Sequence, residues 1–318
     1  MSPRRSGVTV AYGNRRRVSG VSAVIGPHGT LLATATLAGS STVGQSGTGS
    51  VAASAGLAGT GSWYIPGSGS LAASAGLSGT GTVPSSLAYD AASVGFNSAN
   101  HSTTTASQAS LSFTPPANSV IILNVEAIGN NTTATWVPPM TVTDSLASHL
   151  TWTVGPAQDG AASGGFATGM FTAWAAVGAT SPGAMTATVT LEVDASHVID
   201  FIAVQVDIWD GADTSGPFGA DASGNPINTQ NLSVSLTPTT TGSALVINLM
   251  DGDVAGAIAA GSGCYLYENT GGDSGGVLWV GTSSGPTLTT SLSPENLNVT
   301  MAKATSIPGY VAYEVLPQ

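Results

Sequence analysis

Four aspartates around a glycine-rich loop are the first residues of this chain whose type and spacing could do chemistry. Asp207, Asp210, Asp213 and Asp221 fall in and beside the segment DGADTSGPFGADASGNP. Hard oxygen ligands on a flexible loop suit Ca²⁺. Aspartate is also an ordinary turn residue, because its side chain bonds its own backbone. EF-hand spacing is absent, so we treat the four as weak calcium candidates and predict no bound metal or other cofactor.

A second candidate is the string GGDSGG at 271–276, which places Ser274 in the sequence context of the nucleophile of trypsin-like proteases. That chemistry needs a histidine to take the serine proton and an aspartate to orient the histidine. The histidines of the chain are His28, His101, His149 and His197. None has the sequence context of a catalytic histidine. We therefore expect Ser274 to lie in a turn between strands, with no catalytic role.

Tryptophans and glutamates are the remaining candidates for binding or cleaving a glycan. Sugar-binding sandwiches stack exposed aromatic rings on pyranose rings, but most tryptophans here have apolar neighbours and are expected in the core. Trp136, beside VPPM, is the best candidate for an exposed glycan contact. The glutamates are scattered, and no two of them can be paired as the acid and base of a glycosidase. We predict that the protein is not an enzyme.

Ten segments after residue 84 must form the framework that positions these residues. Each alternates apolar and polar residues or forms a short apolar run, as strands do. They are 119–129, 150–154, 170–178, 185–193, 201–209, 231–238, 244–250, 277–281, 297–301 and 310–315. The chain shows no convincing long amphipathic helix. The pattern predicts an all-β protein in which residues 85–318 form a jelly-roll-like antiparallel β-sandwich.

Before this region lies a 20-residue repeat made mostly of Gly, Ala, Ser and Thr. GTGSVAASAGLAGTGSW is followed 20 residues later by GSGSLAASAGLSGTGTV. The larger apolar residues recur at the same period, at Leu31, Leu37, Val43, Val51, Leu57, Trp63, Leu71, Leu77 and Val83. Their even spacing puts them on one face of an extended chain. We predict an extended β arm over residues 28–84, with a flexible linker as the alternative.

Such an arm carries too few apolar residues to become ordered alone. Ordering the backbone costs about 1–2 kcal/mol per residue, and one apolar anchor every six or eight residues offsets little of it. We therefore expect order only in an assembly, with a homotrimer as the preferred form. Three sparse apolar faces could close on one another there, and the small residues between them would allow close approach of the backbones.

Charge is segregated along the chain. The arginines are Arg4, Arg5, Arg15, Arg16 and Arg17, whereas all 17 carboxylates lie at or after Asp90 and the net charge is −11. A basic tip on an acidic body indicates two roles, and we predict that residues 1–27 anchor the protein on an acidic surface. Nucleic acid is a poorer partner, because no aromatic residues are interleaved and the acidic body would oppose it. We predict no nucleic-acid binding.

The composition is typical of an externally exposed structural protein. Charged residues make up 7% of the chain, against about a quarter in ordinary soluble proteins. Cys264 is the single cysteine, so no disulfide forms within one chain. The sequence contains neither a transmembrane apolar stretch nor the apolar core of a secretion signal. A protein suited to the outside but made without an export signal is expected in a virus particle, which leaves the cell by lysis.

The order of motifs over residues 87–318 resembles a β-sandwich family of actinobacteriophage minor tail proteins and secreted bacterial surface proteins. The motifs are VTDSLASHLTWTVG, GMFTAWAAVGATSPGAMTATVTLEV, VDIWDGADTSGPFGADASGN, SVSLTPTTTGSALVINLM and PGYVAYEVLP. The preceding repeats are similar to N-terminal regions of phage tail and fibre proteins. The resemblance implies a minor tail or fibre-like protein on the virion exterior, bound to other virion proteins and contacting host-surface glycan. A capsid decoration or head-fibre protein and a bacterial carbohydrate-binding module are the alternatives.

Overall fold

The fold is all-β. A computed structural model describes residues 86–130, 138–158, 162–163, 166–193, 197–225, 230–251, 258–269, 275–301 and 308–318, and the backbone of six short strands nearer the N-terminus. Every regular element in these residues is a β-strand, as the sequence predicts. Within the same residues no helix is long and apolar enough to cross a membrane. The chain divides into two compact units, Met1–Pro84 and Ser85–Gln318.

The first unit contains six short strands, most of which pair in parallel. They are β1 (Ser22–Ile25), β2 (Leu31–Thr34), β3 (Val43–Gly44), β4 (Ser50–Ala53), β5 (Trp63–Tyr64) and β6 (Ser70–Ala73). Strand β1 pairs antiparallel with β2. Strands β2, β4 and β6 then pair in parallel in that order, and β3 pairs in parallel with β5.

The register of these parallel pairs equals the sequence repeat. Leu31 pairs with Val51, Val51 with Leu71, and Val43 with Trp63. Each strand therefore lies beside the equivalent strand of the next repeat, which is how repeat proteins stack their units. The structure differs here from the single extended arm expected from the sequence, because the strands pair within one chain. Leu37, Leu57, Leu77, Val83 and the five arginines lie outside the described residues.

This register predicts how the unit responds to deletions. Removing residues 51–70 takes out one whole period and should leave the parallel register intact, whereas removing 51–60 should misalign the strands on either side. Amide hydrogen exchange of the full chain measures the difference, since paired amides exchange slowly. We expect protection in β2 and β6 after the first deletion and its loss after the second. Equal protection in the two variants would contradict the register.

The described residues of the second unit form nineteen strands. They are β7 (Ala88–Tyr89), β8 (Val94–Thr103), β9 (Thr105–Ala109), β10 (Val120–Asn130), β11 (Met140–Asp144), β12 (Thr153–Gln158), β13 (Ala162–Ser163), β14 (Phe166–Ala176), β15 (Ala187–Glu192), β16 (Val198–Asp210), β17 (Phe218–Gly224), β18 (Asn231–Leu236), β19 (Ala244–Asp251), β20 (Ala259–Ala260), β21 (Cys264–Asn269), β22 (Gly275–Thr282), β23 (Gly285–Pro286), β24 (Glu295–Thr300) and β25 (Pro308–Val315). Nine of the ten strands predicted from the sequence in this unit are present, and the predicted strand 150–154 overlaps β12 only at Thr153 and Val154.

These strands form two halves with the same strand order. In the first half, residues 86–210, a large sheet runs β12-β14-β10-β16-β8 and a small sheet runs β11-β15-β9, while β7 and β13 add short pairings. In the second half, residues 218–318, the large sheet runs β21-β22-β19-β25-β17 and the small sheet runs β20-β24-β18, with β23 on β22. Every pair is antiparallel. The sequence predicts antiparallel sheets for this region, and the structure arranges them in two halves.

Matching positions can be recognised on the two central strands. Ile122 of β10 pairs with Trp174, and Val246 of β19 pairs with Trp279. The intervals between elements differ enough that this correspondence is hidden in the sequence. The correspondence follows from the shared strand order. The central strand β10 lies between β14 and β16, and the central strand β19 lies between the equivalent strands β22 and β25.

Three buried clusters show that the four sheets are stacked in layers. One cluster joins the sheets of the first half through Ile121 and Val189. Another joins the sheets of the second half through Ile247 and Leu297. The third lies between the two large sheets. The central strand β10 is buried on both faces, which explains its nearly continuous apolar run.

The motif DSLASHLTW forms a loop that is held by one carboxylate. Asp144 accepts hydrogen bonds from the backbone amides of Leu146 (3.0 Å) and Leu150 (2.9 Å), and from the indole nitrogen of Trp152 (2.9 Å). Burial alone would raise the pKa of Asp144, but hydrogen bonds from Trp152, His149 and the backbone outweigh it and lower the pKa. The motif therefore has a structural role at the end of β11.

Candidate ligand-binding cleft

A cleft of about 480 Å³ lies where β7 of the first half meets β21, β22 and β23 of the second. Its lining is Leu87, Ala88, Tyr89, Tyr265, Tyr267, Trp279, Ser283, Ser284, Gly285, Pro286 and Leu288. Aromatic and aliphatic side chains dominate, a few hydroxyls are added, and no lining residue carries a charge. A concave surface of this composition is typical of sites for small molecules.

Four aromatic rings form one wall of the cleft. Tyr267 stacks on Trp279, with ring centroids 4.0 Å apart and an interplanar angle of 18°. Tyr89 meets both rings edge-on, at centroid distances of 5.2 Å from Tyr267 and 4.9 Å from Trp279. Tyr265 lies 6.0 Å from Trp279. Trp279 is only 3% exposed whereas Tyr265 is 36% exposed, so Tyr265 presents its ring to solvent.

Strand geometry explains why these rings come together. Tyr265 and Tyr267 are two residues apart on β21, and alternate residues of a strand point to the same face. Tyr265 pairs directly with Trp279 on β22. The indole nitrogen of Trp279 donates a hydrogen bond to the carbonyl oxygen of Thr282 at 3.0 Å, which fixes the orientation of the ring.

The rim of the cleft, formed by Ser283 and Ser284, needs a glycine at position 281 to adopt its backbone conformation. Gly281 has a φ of 149°, a conformation that side-chain-bearing residues rarely adopt. A Cβ at this position would lie 2.6 Å from the carbonyl oxygen of Gly285, so the two strands of the rim could not approach as they do. The close approach of Gly281 and Gly285 sets the position of Ser283 and Ser284 at the mouth of the cleft.

Behind the aromatic wall lies a fully buried carboxylate, that of Asp207. It accepts hydrogen bonds from the hydroxyl of Tyr267 (2.6 Å), the hydroxyl of Tyr89 (3.3 Å), the amide of Asn124 (2.8 Å) and the amide of Gln205 (2.8 Å). Two of these donors belong to rings that line the cleft. Asp207 therefore positions the aromatic wall from inside the protein.

Burial dominates the protonation of this cluster. It raises the pKa of Asp207 to about 7, although hydrogen bonds from Tyr267, Asn124 and Tyr89 act in the opposite direction. Burial, followed by the charge of Asp207, also raises the pKa of Tyr89 and of Tyr267. Both hydroxyls consequently stay protonated at neutral pH and remain able to donate to Asp207. Burial raises the pKa of nearby Glu268 as well.

The weak calcium candidates do not form a common site. Asp207 lies within β16 and is occupied by its four donors. Asp213 accepts hydrogen bonds from the backbone amide and hydroxyl of Ser215, as a turn residue does. Asp210 ends β16, and Asp221 lies within β17. In the part of the chain that the structure describes, no group of three His, Cys, Asp or Glu side chains is placed to hold a metal ion.

The other residues singled out by sequence fall in two groups. Trp136 and Ser274 lie outside the described residues, so the predicted glycan contact and the predicted turn stay predictions. Trp209 and Trp279 are buried, which agrees with the core role expected for most tryptophans. The sequence did not identify Tyr89, Tyr265 or Tyr267 as candidate site residues. The signal that could have pointed to the last two is the alternation in CYLYEN, where two tyrosines share one strand face.

No model of a known protein family matches this chain, and no curated protein matches it at a significant level.

Proposed function

We propose that this protein is a structural component of a bacteriophage virion, specifically a minor tail or fibre-like protein on the outside of the particle. In this proposal residues 1–27 bind other virion proteins, residues 28–84 form the arm, and residues 85–318 are displayed toward the host. The support is the motif resemblance over residues 87–318 together with the separation of a basic tip from an acidic body. Neither nucleic-acid binding nor membrane insertion is part of the proposal.

The observation that carries the host-contact role is the uncharged aromatic cleft. It lies in the unit that holds all 17 carboxylates of the chain, yet its lining contains none of them. An acidic surface repels acidic neighbours, so an uncharged concave patch on it is the place where a neutral ligand meets least opposition. Tyr265, exposed at this patch, supports a role in contact with host-surface glycan.

The strand order supports a jelly-roll-like fold for each half. If the eight main strands of a half are numbered along the chain, the sheets read 1-8-3-6-5 and 2-7-4. A jelly roll has the sheets 1-8-3-6 and 2-7-4-5, so the difference is the placement of strand 5 beside strand 6. We therefore propose two jelly-roll-like sandwiches in tandem, in place of the single one expected from the sequence.

The proposed role is binding and not catalysis. Asp207 is buried behind Tyr89 and Tyr267 and is held by four hydrogen bonds, so it has no direct access to a ligand in the cleft. A capsid decoration or head-fibre protein would use the same anchor and cleft, and a bacterial surface carbohydrate-binding module would use the cleft alone. Immunogold labelling of purified particles separates these three, by signal on the tail, on the head or on neither.

A homotrimer is also part of the proposal. Trimeric display would multiply weak contacts with the host surface through avidity. The equivalent strands of the first unit already pair within one chain, so a trimer is not needed to order them. The copy number is therefore to be measured on the full chain. Light scattering gives the copy number directly, and a monomeric mass would remove this part of the proposal.

The anchor makes a testable prediction. Replacing Arg15, Arg16 and Arg17 by serine should reduce incorporation into particles by at least tenfold, because arginine is suited to bidentate pairing at interfaces. Immunoblotting of purified particles measures incorporation, and thermal unfolding shows whether the acidic body stays folded. Lys303→Ser, which removes the only basic residue outside this tip, is the control. Normal incorporation of the triple variant would refute the anchor.

A further inference from the structure

We propose that the aromatic cleft is a binding site for one uncharged pyranose ring, with Tyr265 as the ring on which the sugar stacks. The proposal deepens the host-contact role proposed above and rests on it for its biological meaning. Trp136, the contact predicted from sequence, lies outside the described residues and is not part of this proposal. The exposure of the rings, their fixed orientation and the absence of charge in the lining support it.

The wall offers an aromatic face that is both accessible and supported. Tyr265 is 36% exposed, and Trp279, its neighbour across the strands, is 3% exposed. Tyr267 covers Trp279 by direct stacking at 4.0 Å. Trp279 is therefore fixed as the base of the wall, and the free surface belongs to Tyr265. The face of an aromatic ring carries partial negative charge, which attracts the partially positive axial C–H groups of a pyranose.

The supporting rings are held before any ligand arrives. The hydroxyls of Tyr267 and Tyr89 donate to Asp207, and the indole nitrogen of Trp279 donates to Thr282. Binding a ligand to such a wall does not have to pay for ordering these side chains. Fixed rings suit a small rigid ligand such as a single sugar ring better than they suit a flexible chain that needs an adaptable surface.

The polar groups at the mouth match a polyhydroxyl ligand. Ser283 and Ser284 add hydroxyls to the rim of the cleft, and hydroxyls can both donate and accept hydrogen bonds. The lining contains no charged residue. A purely aliphatic ligand would offer these hydroxyls no hydrogen-bond partner. An anionic ligand would meet neither a cation in the lining nor a favourable field, since 17 carboxylates and one lysine follow residue 89.

The test uses the full chain and named free sugars. Saturation-transfer NMR with glucose, galactose and N-acetylglucosamine should give signals from ring protons for at least one of them, followed by calorimetry to measure the dissociation constant. Glucuronic acid, which adds a carboxylate to the same ring, should bind at least fivefold more weakly than glucose. Absence of transfer to all three neutral sugars would overturn the proposal, and so would tighter binding of the acid.

Two variants of one residue locate the site. Tyr265→Ala should weaken sugar binding at least tenfold because the stacking face is removed, whereas Tyr265→Phe should stay within threefold of the original protein. Leu292→Ala, which truncates another exposed apolar side chain outside the cleft, should leave binding unchanged. Unweakened binding in Tyr265→Ala, with the fold confirmed by thermal unfolding, would also overturn the proposal. These outcomes do not depend on particle incorporation, so failure of the cleft and failure of the virion proposal are distinguishable.

Discussion

Glu314→Ala is expected to lower the free energy of unfolding by about 2 kcal/mol, because it removes the shared acceptor of four hydrogen bonds. Glu314 is fully buried on β25. Its carboxylate accepts hydrogen bonds from the backbone amides of Ala220 (2.9 Å), Thr239 (2.9 Å) and Thr240 (3.1 Å), and from the Thr239 hydroxyl (2.7 Å). Without it, these four donors lose their acceptor at a site where Glu314 is fully buried, Ala220 and Thr240 are half-buried and Thr239 is exposed.

Urea denaturation of the full chain measures this loss. Glu192→Ala, which truncates an exposed glutamate on β15, is the matched control and should stay within about 0.5 kcal/mol of the original protein. Glu314→Gln should fall between the two, since its amide oxygen still accepts some of the same hydrogen bonds. If Glu314→Ala were as stable as the control, the carboxylate would not be what holds the turn between β18 and β19.

The pH at which Glu314 acts follows from its lowered pKa. Burial alone would raise that pKa, but hydrogen bonds from the Ala220 amide, Ser243 and Thr239 outweigh it. A carboxyl whose pKa is lower in the folded state stabilises the fold above its ordinary pKa of 4.5. This stabilisation is lost as the pH falls through the folded-state value. Above about pH 5 its contribution is therefore constant.

Asp207 is expected to have the opposite effect, and over a different range of pH. Its pKa rises from an ordinary 3.8 to about 7 in the folded state, so the folded protein holds a proton that the unfolded chain has released. The free energy of unfolding should consequently fall as the pH rises from about 4 to about 7, by roughly 4 kcal/mol from this residue, and then level off. The charge of Glu268 acts in the same direction.

Asp207→Asn isolates that contribution, because an amide cannot ionise while its size and shape are kept. Asp200, Asp210 and Glu268, whose pKa values are also raised, remain in this variant and cancel in the comparison. Urea denaturation at pH 5, 6, 7 and 8 should therefore show a steeper decline for the original protein than for the variant. Parallel curves would mean that Asp207 keeps an ordinary pKa in the folded state.

The sequence predicts the apolar strands of the second unit well and its polar strands poorly. β10 and β16 are rich in Val and Ile, and hydrophobic pattern alone identifies them. β8 reads VGFNSANHST, and β17 reads FGADASG inside a segment interpreted as a turn. Both contain many residues that disfavour strands. They form because β16 and β25 offer them a free edge, which is tertiary context that no local pattern contains.

The cleft could not be predicted for a similar reason. Tyr89 and Tyr267 reach the same carboxylate from different halves of the second unit, and only the packing of the two large sheets brings them together. Asp207 falls within the predicted strand 201–209 and was considered only as a weak calcium candidate beside the glycine-rich loop, whereas the structure buries it within β16. The informative sign was a polar stripe, in which Gln205 and Asp207 alternate with valines on an otherwise apolar strand.

Each half of the second unit packs against the other through the equivalent face of its large sheet, as the two subunits of a twofold homodimer do. Their matching positions have nonetheless diverged, since Asp207 on β16 corresponds to Tyr313 on β25. This is the arrangement expected when an ancestral gene has been duplicated and its copies fused. Identical subunits must present every site twice, and each change in one is imposed on the other. A fused pair has no such constraint, so a cleft that takes Tyr89 from one half and Tyr265 from the other can be present only once.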